Sequence, residues 1–274
     1  DAQAAQCVVM AYDATVLAGT QGFRNHQKTD RLLQLALQHK RPVVLWAEGG
    51  GGRPGDVDMP IVAGLHVGTF AAYARLSGHV PVEGGGLGVY PPEAIGPSSV
   101  QSANGVIDVL VDDDAQAVQV ARHYLSFFQG RLSQWQAPAA EALRDVVPAN
   151  RLRVYDTRLA LQGLVDAGSL LELRAGFGAG IHTALGRVEG RPVGLMANNP
   201  LHLSGAIDAD AADKAARFMQ LCNAHGLPLV SLVDTPGFMV GPDIETRAQV
   251  RHVSRMFVVG AQLRVPVFSV VLRK

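Results

Sequence analysis

Residues 8–56 and 194–242 read as two copies of one pattern. They align without a gap. Met10 meets Met196, Ala11 meets Ala197, Leu17 meets Leu203, Gly19 meets Gly205, Lys28 meets Lys214, His39 meets His225, Pro42 meets Pro228 and Gly51 meets Gly237, always at an offset of 186. Solenoid units run at about 20–50 residues, so a period this long is not a solenoid. It implies two domains of one fold and makes a site shared between them the leading expectation for function.

Composition narrows the function classes. The chain has 274 residues, 48% of them hydrophobic and 18% charged, enough for two domains that each bury a core. Lys+Arg and Asp+Glu are both 24, so the basic footprint of a nucleic-acid binder is missing. The 30 glycines point to tight turns and close backbone approaches, with peptide groups taking part in recognition. Cys7 and Cys222 are the only cysteines and form no CxxC, which speaks against a thiolate zinc site and for buried, reduced thiols in a cytoplasmic protein. No metal is expected. No apolar run reaches the roughly 18 residues a membrane span requires, and DAQAAQCVVM lacks the charged start of a signal peptide. Both ends read as cut within strand-like sequence.

Each copy follows one grammar. Residues 7–10 and 192–197 are short apolar runs, with 14–18 and 200–204 expected as their hairpin partners. Leu32, Leu33, Leu35 and Ala36 answer Phe218, Met219, Leu221 and Cys222 at helical spacing. Pro42–Ala47 and Pro228–Val233 are buried strands that end in glycine-bearing turns, GGGGRPGD and DTPGFMVG. The result is β-β-α-β with a loop at the carboxyl end of a parallel-type strand, where open α/β sheets place ligands. Further helices are expected over 57–79, 114–128 and 244–261 and within VYDTRLALQGLVDAG, and strands over 106–111 and 265–272. The polar, Pro/Ala-rich stretch at 133–150 reads as a linker between a domain at 1–132 and a domain at 151–274. Around SGHVPVEGGGLGVYPPEAIG the repeat calls for another strand and helix, so the first copy is shortened there or lacks residues.

Gly50-Gly51-Gly52-Arg53-Pro54-Gly55 satisfies GxGxxG after a strand, but Pro54, Asp56 and Pro60 argue against the helix that a dinucleotide site needs. A plain flexible turn is one alternative. The other uses peptide N–H groups as an oxyanion hole, where a donor contributes about 3–4 kcal/mol. The equivalent turn Thr235-Pro236-Gly237-Phe238 supports the latter. No GxSxG and no histidine triad are present; His182 and His202 read as packed histidines before bases. Asp234 ends a buried strand as a turn-capping carboxylate or a base. Arg251-His252 is either a phosphate or carboxylate partner or a solvated helix face. The lack of an acid–base set suits chemistry in which cofactor or substrate supplies the base.

Tyr155-Asp156-Thr157-Arg158, LVDAGSLLEL, GFGAGIHTALGRVEGRPVGLMANNP and SGAIDADAADKAARFMQLCNAHGLPLVSLVDTPGFMVG together resemble the carboxyltransferase family of biotin-dependent acyl-CoA carboxylases, of the β-subunit type. The resemblance covers about residues 8–274. It implies two tandem crotonase-like (ClpP/crotonase) β-β-α superhelical domains of α/β class. The N-domain would hold acyl-CoA, and the C-domain the biotin side. By that resemblance carboxybiotin releases CO2, its freed nitrogen takes the α-proton of the thioester, and the enolate attacks CO2 between two oxyanion holes. Gly50, Gly51 and Gly52 would form the acyl oxyanion loop, with Arg53 and Gly19 on the substrate. Pro236, Gly237, Phe238, Gly180, Thr183, Asn198 and Asn199 would line the biotin side.

The implied partners are an acyl-CoA, biotin carboxyl carrier and biotin carboxylase domains or subunits, and further copies of the chain in a dimer-based oligomer, often a hexamer. No biotinyl-lysine motif is present, so biotin would arrive on another domain or chain. The sequence departs from the family where SGGAR is usual and Glu48-Gly49-Gly50-Gly51-Gly52-Arg53 stands. It also lacks the family's glycine elements near Pro81–Glu83 and after Lys274. Two rival readings remain: a biotin-linked acyl-CoA decarboxylase of the same fold, and a non-catalytic scaffold subunit.

Overall fold

The computed structural model describes residues 6–47, 68–76, 97–150 and 152–273, which form two compact units, 1–97 and 98–274. The first unit holds strand β1 (Val8–Ala11), helix α1 (Phe23–His39), strand β2 (Val43–Trp46) and helix α2 (Gly68–Leu76). β1 and β2 pair in parallel, and α1 makes the crossover between them. Met10, Leu33, Ala36, Val43 and Leu76 form the core where α1 and α2 cover the strands. α1 ends at Lys40, which takes the left-handed conformation (φ 50°).

The second unit opens with helices α3 (Ser98–Ala103), α4 (Asp114–Ser126) and α5 (Arg158–Leu164). Five strands follow: β3 (Leu171–Leu173), β4 (Ile181–Val188), β5 (Arg191–Asn198), β6 (Leu229–Val233) and β7 (Val267–Val271). Helix α6 (Ala209–His225) links β5 to β6, and α7 (Pro242–Glu245) and α8 (Gln249–Ala261) link β6 to β7. The sheet order is β3-β4-β5-β6-β7, antiparallel from β3 to β5 and parallel from β5 to β7. Both faces are covered, which explains the long apolar runs of β4 and β5. Leu185 and Met196 face α6, whereas Ala184, Val193, Leu195 and Ala197 face α5. α6 brings a seam of buried alanines (Ala211, Ala212, Ala215, Ala216) close to the sheet. It is capped by Asp208, whose carboxylate accepts from the Ala211 N–H at 2.9 Å, and ends at left-handed Gly226.

The two copies agree residue for residue in local structure. Val8 pairs with Val43 and Gly194 with Leu229; Ala11 pairs with Trp46 and Ala197 with Leu232. Each register is the other shifted by the sequence offset. α1 and α6 begin and end at equivalent positions.

Several sequence expectations change. Cys222 is buried as expected, but Cys7 is exposed. Residues 14–18 and 200–204 are not strands. Each copy instead makes a single left-handed turn, Leu17-Ala18-Gly19 and Leu203-Ser204-Gly205, with positive φ at all three residues. The hairpin partner of β5 is β4, which precedes it. Residues 106–111 form no strand, and Val106 and Leu110 are exposed because no sheet face receives them. The helix expected over 244–261 breaks into α7 and α8 at Ala248, which has φ 54°. The expected helix over 57–79 lies partly outside the described residues; its described part is α2. The compact units divide before Ser98, upstream of the 133–150 stretch, which itself holds a short 3-10 helix at Ala140–Asp145. Residues 98–132 join the second unit because Phe127 of that segment is buried in the α6-side core.

Candidate functional site

The carboxyl ends of β5, β6 and β7 lie side by side, the edge where α/β sheets take ligands. Asp234 leaves β6 here and begins the Thr235–Phe238 turn. The Gly237 N–H donates to Thr235 Oγ1 at 3.0 Å, and that hydroxyl donates to the Gly237 carbonyl at 3.1 Å, so this peptide donor is engaged within the turn. Gly237 has φ 119°, a conformation that belongs to glycine, and a Cβ added there would meet nothing within 4 Å. The turn is tied down by Ile207, whose N–H donates to the Gly237 carbonyl at 3.0 Å and whose carbonyl accepts from the Met239 N–H at 2.9 Å. Pro236 is exposed; the half-buried Phe238 meets Phe257 edge-on at 5.5 Å.

A strap of chain, residues 153–158, crosses the same edge. The Thr157 hydroxyl donates to the Asn198 carbonyl at 2.7 Å, and the Tyr155 hydroxyl donates to Asp234 Oδ2 at 2.8 Å. Arg158 grips Glu172 with Nε at 2.7 Å and Nη2 at 3.0 Å. Buried His182 places Nδ1 3.1 Å from the same carboxylate. Burial alone would raise the Glu172 pKa; the hydrogen bonds from His182 and Arg158 outweigh it and hold the group at about 2. Lys214 on α6 is buried with Nζ donating to the Phe177 carbonyl at 2.9 Å. Burial brings its pKa down to about 8 against the pull of Glu172.

The biotin-side residues expected from the sequence fall into three places. Pro236, Gly237 and Phe238 form the turn itself. Asn198 stands beside it, its Oδ1 accepting from the Asp234 N–H at 3.2 Å. Asn199 and Gly180 lie together: the Asn199 N–H reaches the Gly180 carbonyl at 3.0 Å, and its side chain donates to Ala179 at 2.8 Å. Gly180 is buried where a Cβ would press on the Ala206 carbonyl and Ala211, 3.2 Å from each. Thr183 lies deeper, its hydroxyl donating to the Leu173 carbonyl of β3 at 2.9 Å. Gly19 closes the left-handed turn of the first unit and is buried. Gly50, Gly51, Gly52 and Arg53 lie outside the described residues, as do Pro81–Glu83.

Two residues of this edge escaped the sequence reading. Tyr155 was visible only as part of a motif, and Arg273 carried no signal. Both converge on Asp234 through topology. Among the described residues no helix is long and apolar enough to cross a membrane.

Comparison with known proteins places this geometry in context. The carboxyl transferase domain model matches residues 87–274. A single-chain, multi-domain long-chain acyl-CoA carboxylase of solved structure is 53% identical with a TM-score of 0.90, covering 98% of this chain and 30% of its own. The transcarboxylase 12S structure with methylmalonyl-CoA bound is 28% identical with a TM-score of 0.79, covering 94% of this chain and 60% of that one. The propionyl-CoA carboxylase beta chain of Rhodococcus erythropolis is 31% identical over 309 residues, covering 96% of this chain and 64% of that protein. The chain thus spans less than two thirds of the length of the curated relatives it matches. That alignment runs over more positions than the 274 residues of this chain, so the relative carries positions without a counterpart here. By the match over residues 87–274, the chain belongs to the carboxyl transferase domain family.

Proposed function

We propose that the protein transfers a carboxyl group between biotin and the α-carbon of an acyl-CoA, as the carboxyltransferase part of a biotin-dependent acyl-CoA carboxylase. The observation that carries this reading is the doubled β-α-β unit with one strand register, which in the second copy runs into the glycine-bearing Thr235–Phe238 turn. We read the two copies as two crotonase-like domains, a reading with which the duplicated unit is consistent. The first unit, 1–97, serves the acyl-CoA side through Gly50, Gly51, Gly52 and Arg53, together with Gly19, and the second unit, 98–274, serves the biotin side. The 53% identity to a long-chain acyl-CoA carboxylase makes long-chain acyl-CoA the first substrate class to test.

The turn suits a flat, largely apolar ring. Exposed Pro236 and half-buried Phe238 flank a glycine whose α-carbon faces open space. Carboxybiotin, when bound, would supply the carboxyl group and, once that group has left, a ring nitrogen able to take a proton. This chain's residues do the holding. Pro236 and Phe238 offer apolar surface, Gly237 lets the ring approach the backbone, and Asn198 fixes the strand end through the Asp234 N–H. Gly180, Thr183 and Asn199 form the frame behind. The partners are a biotin carrier and a biotin carboxylase, and the working form is an oligomer of this chain, for which the hexamer named for the transcarboxylase 12S is the precedent.

The test is an assay of the full-length protein with biotin carboxylase, carrier, ATP, bicarbonate and acyl-CoAs of graded length. Carboxylated thioester, lost at least tenfold on Gly237→Ala, supports the reading. Decarboxylation of a carboxylated thioester without ATP, and no forward product, would establish the decarboxylase instead. No turnover in either direction would leave the scaffold.

A further inference from the structure

We propose that Asp234 is a positioning residue that sets the direction of the Thr235–Phe238 turn through a closed three-way contact with Tyr155 and Arg273; this rests on the reading of that turn as the biotin side. Asp234 is completely buried at the end of β6, and its Oδ2 accepts from the Tyr155 hydroxyl at 2.8 Å and lies 3.2 Å from Arg273 Nη2. The Arg273 guanidinium lies over the Tyr155 ring at 5.1 Å, and its Nη1 donates to the Arg153 carbonyl at 2.7 Å. Each of the three side chains therefore touches the other two. They come from three separate places in the chain: the strap before α5, the end of β6 and the stretch after β7.

A buried ion pair is a poor way to gain stability alone, because desolvation consumes much of the Coulomb attraction and apolar residues of similar volume do as well. Here the pair is not even fully satisfied: Asp234 Oδ1 and Arg273 Nε have no hydrogen-bond partner among the described residues. An imperfect, costly contact at a strand end is better explained by geometry than by stability. The main chain of Asp234 is fixed as well. Its N–H donates to Asn198 Oδ1 at 3.2 Å, and Gly205 lies so close beneath its carbonyl that a Cβ there would clash. The turn that begins one residue later is braced by the Thr235 hydroxyl on Gly237, by two main-chain hydrogen bonds to Ile207 and by one ring contact. These hold its middle and far side; the clamp at Asp234 fixes where it starts.

The test uses the full-length protein and two readouts, amide hydrogen exchange and steady-state kinetics. Asp234→Asn keeps the shape and removes the charge; Tyr155→Phe removes one hydroxyl and is the milder change. Exchange at Gly237 and Met239 should quicken at least tenfold in Asp234→Asn, less in Tyr155→Phe, while the α6 amides of Ala215 to Met219 keep their wild-type rates. The KM for the biotinylated carrier should rise fivefold or more, with the KM for acyl-CoA within twofold. Unchanged exchange at 237 and 239 overturns the proposal. So does an equal acceleration in α6, which would make Asp234 an ordinary stability residue. If the wild-type protein transfers no carboxyl group, the functional reading fails and exchange alone judges the clamp.

Discussion

The guanidinium of Arg187, on β4, donates to the main-chain carbonyl of Gly130 at 2.9 Å. It also serves the carbonyls of Gly190 at 2.7 Å and Ser126 at 2.6 Å, and lies over the Phe127 ring at 5.2 Å. One buried cation thus fastens the end of α4 to the β4–β5 hairpin, and the second unit accordingly includes residues 98–132. Arg187→Met keeps apolar bulk but removes the charged donor from three carbonyls; those of Ser126 and Gly190 keep main-chain donors, the Gln129 N–H at 3.1 Å and the Leu132 N–H at 3.0 Å, and Gly130 is exposed. The expected loss is that of hydrogen bonds to a charged group, about 1.5–3 kcal/mol, read as a lower urea midpoint. A change under 1 kcal/mol would mean the carbonyls find water.

A compensated exchange between the copies gives a second prediction. Gly194 sits so close to Cys222 Sγ that a Cβ would collide with it. The equivalent positions in the first unit are Val8 and Ala36, packed in one core cluster. Large faces small in both copies, with the sizes reversed. Gly194→Val alone should destabilise by about 1–3 kcal/mol through overpacking. Combined with Cys222→Ala, most of that loss should return, a coupling of about 1–2 kcal/mol in a double-mutant cycle. Strict additivity of the two changes would sink the equivalence.

The end of α1 supplies a third. Lys40 takes the left-handed conformation that Gly226 takes at the end of α6. A side chain there meets its own backbone, whereas glycine does not. Lys40→Gly should therefore stabilise the first unit by about 0.5–1 kcal/mol despite the added freedom of the unfolded chain. Chemical denaturation of the full-length variant would show it, and Gly226→Lys should move the second unit the other way.

The parts of the fold visible in the sequence are those set by local spacing and by the repeat. The offset of 186 carried the equivalence of the two copies, and with it the ends of α1 and α6 at Lys40 and Gly226; the equal strand registers follow because a gapless duplication preserves every pairing. The left-handed turns at Leu17–Gly19 and Leu203–Gly205 were hidden, since leucine, alanine and serine do not advertise positive φ. β4 was hidden because a strand buried on both faces shows no alternation. At the candidate site, the Pro236–Phe238 turn was legible from its chemistry and its place after a strand. The Tyr155–Asp234–Arg273 contact was not. Its members are brought together by a strap and two parallel strands, and nothing local announces that convergence.

The Glu172 carboxylate sets a pH dependence whose sign follows from its partners. Burial opposes its charge, but His182 and Arg158 more than offset that, and its pKa falls from 4.5 to about 2 in the folded protein. A carboxylate with a depressed folded pKa contributes stability that is complete above its unfolded pKa and is lost as pH falls through the folded value. The window therefore runs from about pH 4.5 down to about pH 2. Thermal unfolding of wild type and Glu172→Gln should differ by a constant amount at pH 6 and 7. The difference should shrink steadily below pH 4.5, as wild type comes to carry a neutral carboxyl in both states. Because Arg158 and His182 both lean on this group, the glutamine variant should also loosen the 153–158 strap, seen as faster exchange at the Leu161 amide, which closes the first turn of α5 on the Thr157 carbonyl at 3.1 Å. A stability difference that stays flat from pH 6 to pH 2 would show that Glu172 holds its proton alike in both states, and that the grip of Arg158 and His182 is not what fixes the strap.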